Sequence, residues 1–208
     1  MNIREISLTR FNVILVFDTL DMSNVSFDII KTNFNNQAQI HQLQNNLAIV
    51  MLANPRLQVQ IERNRLVFIC QNNNIRETFD IYPETINKFL EAISDNNMTA
   101  FGYNFDGNAI LDYNEDISIG KYFMNKFESN WKQINKISNG EVSSFNPNFT
   151  IKFDAFAYNI NINVSAEKNF SFHLNVHYDN PGDLKLSSEF SCDINKHYNK
   201  FIDILRQI

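Results

Sequence analysis

The segment from Leu57 to Cys70 leaves this chain few folds to choose from. Leu57, Val59 and Ile61 alternate with Gln58, Gln60 and Glu62, Arg63-Asn64 interrupts, and Leu66, Phe68 and Cys70 restore the apolar beat. A period of two is that of a strand with one buried face. A two-residue turn at Arg63-Asn64 pairs Ile61 with Leu66, Val59 with Phe68 and Leu57 with Cys70, all on one side. A slip of one residue would turn that whole set to water, so the register is tightly specified. It also puts Cys70 in the core.

The stretch from Phe149 to Asp179 repeats the device with longer arms. Tyr158, Ile160, Ile162 and Val164 alternate with Asn159, Asn161, Asn163 and Ser165. A three-residue turn at Glu167-Lys168-Asn169 pairs Ala166 with Phe170, Val164 with Phe172, Ile162 with Leu174, Ile160 with Val176 and Tyr158 with Tyr178. The other face then holds Asn159, Asn161, Asn163, His173, Asn175 and His177. Amide side chains offer donors and acceptors together, so this face is suited to a peptide, a sugar or a base edge.

Helices are read from the 3.6-residue period. Ile86, Phe89, Leu90 and Ile93 form a stripe behind Pro83, which suits a first helical turn. Phe123, Phe127, Trp131 and Ile134 stripe a helix over 117–134, and Ile194, Tyr198, Phe201 and Leu205 stripe one starting near Ser191. Ser23 is placed to cap a short helix running to Phe34. Ile6 to Asp18, Leu47 to Ala53 and Met98 to Phe105 read as strands, the last closed by a turn at Asp106-Gly107-Asn108. The fold class is α+β, with antiparallel hairpins packed against amphipathic helices. Both halves run strand, helix, hairpin, helix, which suggests two similar units, 1–97 and 98–208, in one compact body. Composition agrees with this division of labour: 19 Phe supply cores, Asn supplies turns, and Gly (5) and Pro (4) are scarce.

The formal net charge is −5, and the balance is acidic in both halves. Phosphate neutralisation supplies most of the affinity for nucleic acid, so such a partner is disfavoured. The apolar run Val13–Phe17 is too short for a membrane span or a leader, and a cytoplasmic protein is expected. The cysteines, Cys70 and Cys192, lack CxxC or His neighbours and read as buried thiols.

No motif for cofactor, metal or nucleophile stands out. Asp112-Tyr113-Asn114-Glu115-Asp116 opens like a calcium loop, but Ile117 and Phe123 stand where Gly and Glu are needed. His173 and His177 lie four residues apart on one strand, roughly 13 Å by strand rise, too far to share a metal. His177 with Asp179, and Asp193 with His197 at i, i+4, are closer pairs. Six of the seven arginines precede residue 77. Arg56, Arg63 and Arg65, with Arg76, surround the first hairpin as a candidate anion or partner patch.

The long hairpin from Phe156 to Tyr178 resembles the sheet of the SecB-type export chaperones. That resemblance covers the hairpin only and implies an acidic, cytosolic holdase that binds unfolded chains along apolar grooves. The family's paired C-terminal helices are not evident, since one helix ends the chain. The expected function is a non-catalytic interaction module, an adaptor, inhibitor or accessory subunit. It would work through a sheet edge, a groove or the polar hairpin face, on a protein or peptide partner or a second copy. A Phe-lined holdase and an enzyme with a dispersed site are the alternatives.

Overall fold

In a computed structural model the chain is described at all residues except 1, 45, 72–73, 95–96, 113–117, 120, 122–124, 126–136, 138–145, 165–167, 188 and 208. The elements are β1 (Ile3–Phe17), α1 (Phe27–Asn33), β2 (Gln39–Gln44), β3 (Leu47–Leu52), β4 (Leu57–Glu62), β5 (Arg65–Cys70), α2 (Tyr82–Leu90), β6 (Met98–Leu111), β7 (Asn148–Lys152), β8 (Ala157–Val164), β9 (Asn169–Tyr178) and α3 (Phe190–Gln207). The strands make one nine-stranded sheet in the order β2-β3-β4-β5-β1-β6-β9-β8-β7. Every pairing is antiparallel. The α+β class is thus observed, and the strands before and after residue 98 occupy opposite sides of the β1–β6 seam.

One face of the sheet carries the helices. Phe11, Leu15, Phe68, Phe105, Ile160 and Leu174 share a single core with Ile30, Ile86 and Phe89 and with Ile194, Phe201 and Leu205 of α3. The Phe excess is spent here: Phe11 packs tilted on Phe79 and Phe105 at 4.7 and 5.0 Å between ring centroids. The opposite face has its own small apolar patch. Val67 and Ile69 are buried there, outside the main core. Register carries one cross-strand row over the whole sheet on that face: Gln39, Met51, Gln58, Ile69, Asn12, Asn104, Asn175, Asn159 and Thr150.

The first hairpin has the register its alternation predicts, with Ile61 opposite Leu66, Val59 opposite Phe68 and Leu57 opposite Cys70. The second differs. Val164 faces Phe170, Ile162 faces Phe172, Ile160 faces Leu174 and Tyr158 faces Val176. The shift is two residues: Phe170 stands opposite Val164, where the expected register sets Phe172. An even shift keeps every side chain on its face, so the apolar pattern does not discriminate between the two registers. The long first arm is also two strands, β7 and β8, broken at 153–156.

Asp106-Gly107-Asn108 is not a turn. β6 runs straight through it to Leu111. A Cβ on Gly107 would lie 2.4 Å from Phe172 Cζ and 2.4 Å from the Ser7 carbonyl oxygen, so glycine serves close packing here. β1 answers with an irregularity between Leu8 and Arg10. The cap of α1 is Ser26, whose Oγ accepts from the Ile29 amide, and not Ser23. Cys70 is buried as expected, but Cys192 is exposed, because it falls off the apolar stripe of α3. The predicted stripe Phe123, Phe127, Trp131 and Ile134 and most of the calcium-like loop lie outside the described residues. No described helix is long and apolar enough to cross a membrane.

Candidate functional site

The face away from the helices holds a continuous chain of amides. The Thr150 hydroxyl donates to Asn159 Oδ1 (2.8 Å), Asn159 Nδ2 to Asn175 Oδ1 (3.0 Å), Asn175 Nδ2 to Asn104 Oδ1 (2.8 Å) and Asn104 Nδ2 to Asn12 Oδ1 (2.7 Å). The bonds run one way across β7, β8, β9, β6 and β1. Side chains directly opposite on neighbouring strands stand about 5 Å apart, which is the reach of one amide to the next. Asn159, Asn175 and Asn104 each use one N–H and one lone pair within the row and keep one of each, while Asn12 at its end only accepts. Asn12 and Asn104 are each only 6% exposed, in the middle of the sheet, where an unpaired amide would be costly.

A second row lies beside it. His173 Nδ1 is 2.7 Å from Asp106 Oδ1, with Arg10 and Asn161 at the adjacent register positions. His177 Nε2 meets Asp179 Oδ1 at 2.9 Å. Asn163 is exposed, and His173, His177 and Asn161 are half-buried. The six predicted residues of the second hairpin therefore do share one surface. What the sequence reading missed is that Asn12, Asn104, Asp106 and Thr150 continue it. The available signal was a polar residue inside an apolar strand: Asn12 between Phe11 and Val13, and Asn104 between Tyr103 and Phe105.

The arginines do not converge. Arg63 and Arg65 stand at the turn of the β4–β5 hairpin, where Arg65 is ion-paired with Glu62. Arg56 sits at the other end, about 20 Å away by strand rise. It lines a cleft with Pro55, Glu77 and Ile81. Arg76 lies over the Tyr198 ring and donates to Asn195.

A different polar cluster lies on the helix side. His197 of α3 is 3% exposed. Its Nδ1 is 2.9 Å from the Tyr158 hydroxyl and its Nε2 is 2.6 Å from the Tyr178 hydroxyl. Asp193, one turn earlier, has Oδ1 3.6 Å from Nε2 and accepts from the Tyr103 hydroxyl at 3.4 Å. Burial pushes all three phenols well above their ordinary pKa, reinforced by the Asp193 charge. Burial would raise the Asp193 carboxyl too, but His197, Lys196 and Tyr103 outweigh it and hold its pKa below the ordinary value. Tyr158, Tyr178 and His197 line a cavity of about 650 Å³. The i, i+4 spacing of Asp193 and His197 was visible in the sequence. The tyrosines were hidden, being ordinary inward members of an alternating strand.

Among the described residues no three His, Cys, Asp or Glu side chains are grouped to hold a metal.

No family model matches the sequence, and no curated protein matches it. Among solved structures, the chain is similar to Methanococcus jannaschii TBP, with 13% identity over 98% of this chain and 99% of that one, at a TM-score of 0.33.

Proposed function

We propose that the protein is a non-catalytic recognition module, an adaptor, inhibitor or accessory subunit, that holds a protein partner against the sheet face opposite its helices. The observation that carries this reading is the directional amide row from Thr150 to Asn12. Its members are fixed by one another, yet the half-buried Asn159 and Asn175 each keep an N–H and a lone pair for a partner's backbone or side chains. Pre-ordered groups lose little freedom on binding. Half-buried Ile14 and buried Val67 and Ile69 adjoin the Asn12 end, giving the mixture of apolar centre and polar surround that protein interfaces use. The acidic net charge disfavours a polyanion in the same place. A holdase would need a continuous apolar groove. The exposed large hydrophobics among the described residues are scattered, at Ile29, Leu43 and Ile137.

The test is capture from an extract of the source cells on immobilised protein, with two variants alongside. Asn161→Arg places bulk and charge on the open face, and Asp28→Asn changes an exposed position of α1. A partner bound at least tenfold more weakly by Asn161→Arg, and unchanged by Asp28→Asn, supports the reading. Equal capture by both variants, or no capture beyond background, refutes it.

A further inference from the structure

The cavity on the flank of α3 carries an inference independent of the open face. Its volume, about 650 Å³, falls within the range of small-ligand sites. In its wall, both ring nitrogens of His197 are taken by tyrosine hydroxyls. Protons can then be counted. If the imidazole is neutral, one nitrogen accepts from one hydroxyl and the other donates to the second, whose own proton is left over. If the imidazole is charged, both nitrogens donate and both hydroxyl protons are left over. Neither Tyr158 nor Tyr178 has a further hydrogen bond among the described residues. At least one donor in the cavity wall is therefore unspent, and the raised pKa of both phenols keeps them protonated.

The charges around the cavity are also mostly assigned. Glu189 is paired with Lys185 at 3.1 Å, and Asp193 is engaged by Tyr103 and His197. Lys196 faces the Asp193 charge, and Lys200, which has no ion-pair partner among the described residues, lines the cavity with Asp183. Lys200 Nζ sits 4.0 Å from the centroid of Phe153. Phe153 in turn stacks on Phe156 at 4.5 Å and 28°, and Phe156 meets the His197 ring edge-on at 4.9 Å. The cavity thus offers spare O–H donors, an ammonium group on Lys200 that is not ion-paired among the described residues, and a partly exposed aromatic wall, in a lining where three lysines balance three carboxylates. The three carboxylates nearby would oppose a second negative charge on the ligand.

We propose that this cavity binds a small aromatic monocarboxylate, its ring against Phe153 and Phe156 and its carboxylate toward the Tyr158–His197–Tyr178 group and Lys200. Cys192, exposed and lining the same cavity, serves as a reporter.

The experiment is calorimetric titration of the purified protein with 2-naphthoate, with 2-naphthylmethylamine and 2-naphthyl phosphate as the cation and dianion of the same ring. Alkylation of Cys192 by iodoacetamide is timed with and without each compound. Binding of 2-naphthoate in preference to both others, with slowed alkylation, is the expected result. Tyr178→Phe and Lys200→Gln should each weaken it about tenfold, the effect of losing a hydrogen bond or contact to a charged group. Lys200 is exposed, so Lys200→Gln keeps the test valid if Tyr178→Phe fails to fold. Absence of heat and protection, tighter binding of the amine or the phosphate, or an affinity untouched by Lys200→Gln would each overturn the proposal.

Discussion

Asn104 is the residue on which the open face turns. It sits between Tyr103 and Phe105 in a strand buried on its other side, and it is 6% exposed itself. Its amide is satisfied from both directions, by Asn175 and by Asn12. Buried polar groups of this kind are tolerable only when paired. Asp193 shows the same economy with a charge. Its pKa is held below the ordinary aspartate value, so it gives stability above about pH 4 that is lost as pH falls through its lower, folded-state value. Asp193→Asn should therefore lower the urea midpoint at pH 7, by an effect reduced because the side chain is more than a third exposed. The gap to the parent protein should narrow toward pH 3. A gap that is constant across that range would contradict this account of Asp193. At this scale the sequence was partly legible. The Asn and His face of the second hairpin follows from alternation. Asn12 and Asn104 were visible as misfits in apolar strands, but their partners lie far away in the chain, and no local rule joins them.

Elements were legible where turn chemistry pins them. Arg63-Asn64 leaves room for one register, and β4–β5 has it. The β8–β9 hairpin is two residues out of its expected register, because its apolar alternation is indifferent to even shifts and its longer connection does not fix the count. Gly107 was misleading for a related reason: Asp-Gly-Asn is a turn signal by composition, but here the glycine admits Phe172 and the Ser7 carbonyl. Gly107→Ala should cost roughly 1–3 kcal/mol by overpacking, since a backbone atom cannot step aside. Gly182→Ala, whose Cβ would meet the Asn180 side chain at 3.3 Å, should fall within about 0.5 kcal/mol of the parent. Thermal or urea unfolding of the two variants decides it, and equal stabilities would return Gly107 to an ordinary strand position.

The whole sheet was not legible. Its centre is built by β1 against β6 and β5, and by β6 against β9, pairings that close loops of tens of residues. Hairpins advertise their partners through the turn, whereas distant strands do not. Only the assembled sheet extends a hairpin face into a row of amides across β7, β8, β9, β6 and β1. That row is continuous with Ile69 and Met51 on the far half. The molecule presents two unlike faces, one filled by helices and one left polar and ordered. The measurement that bears most directly on the role of the ordered face is hydroxyl-radical footprinting with and without the captured partner. Oxidation of His173, His177 and Met51 on the open face should fall severalfold on binding, while Cys192 on the helix side keeps its rate. Protection confined to the helix side, with those three side chains still reactive, would contradict the account.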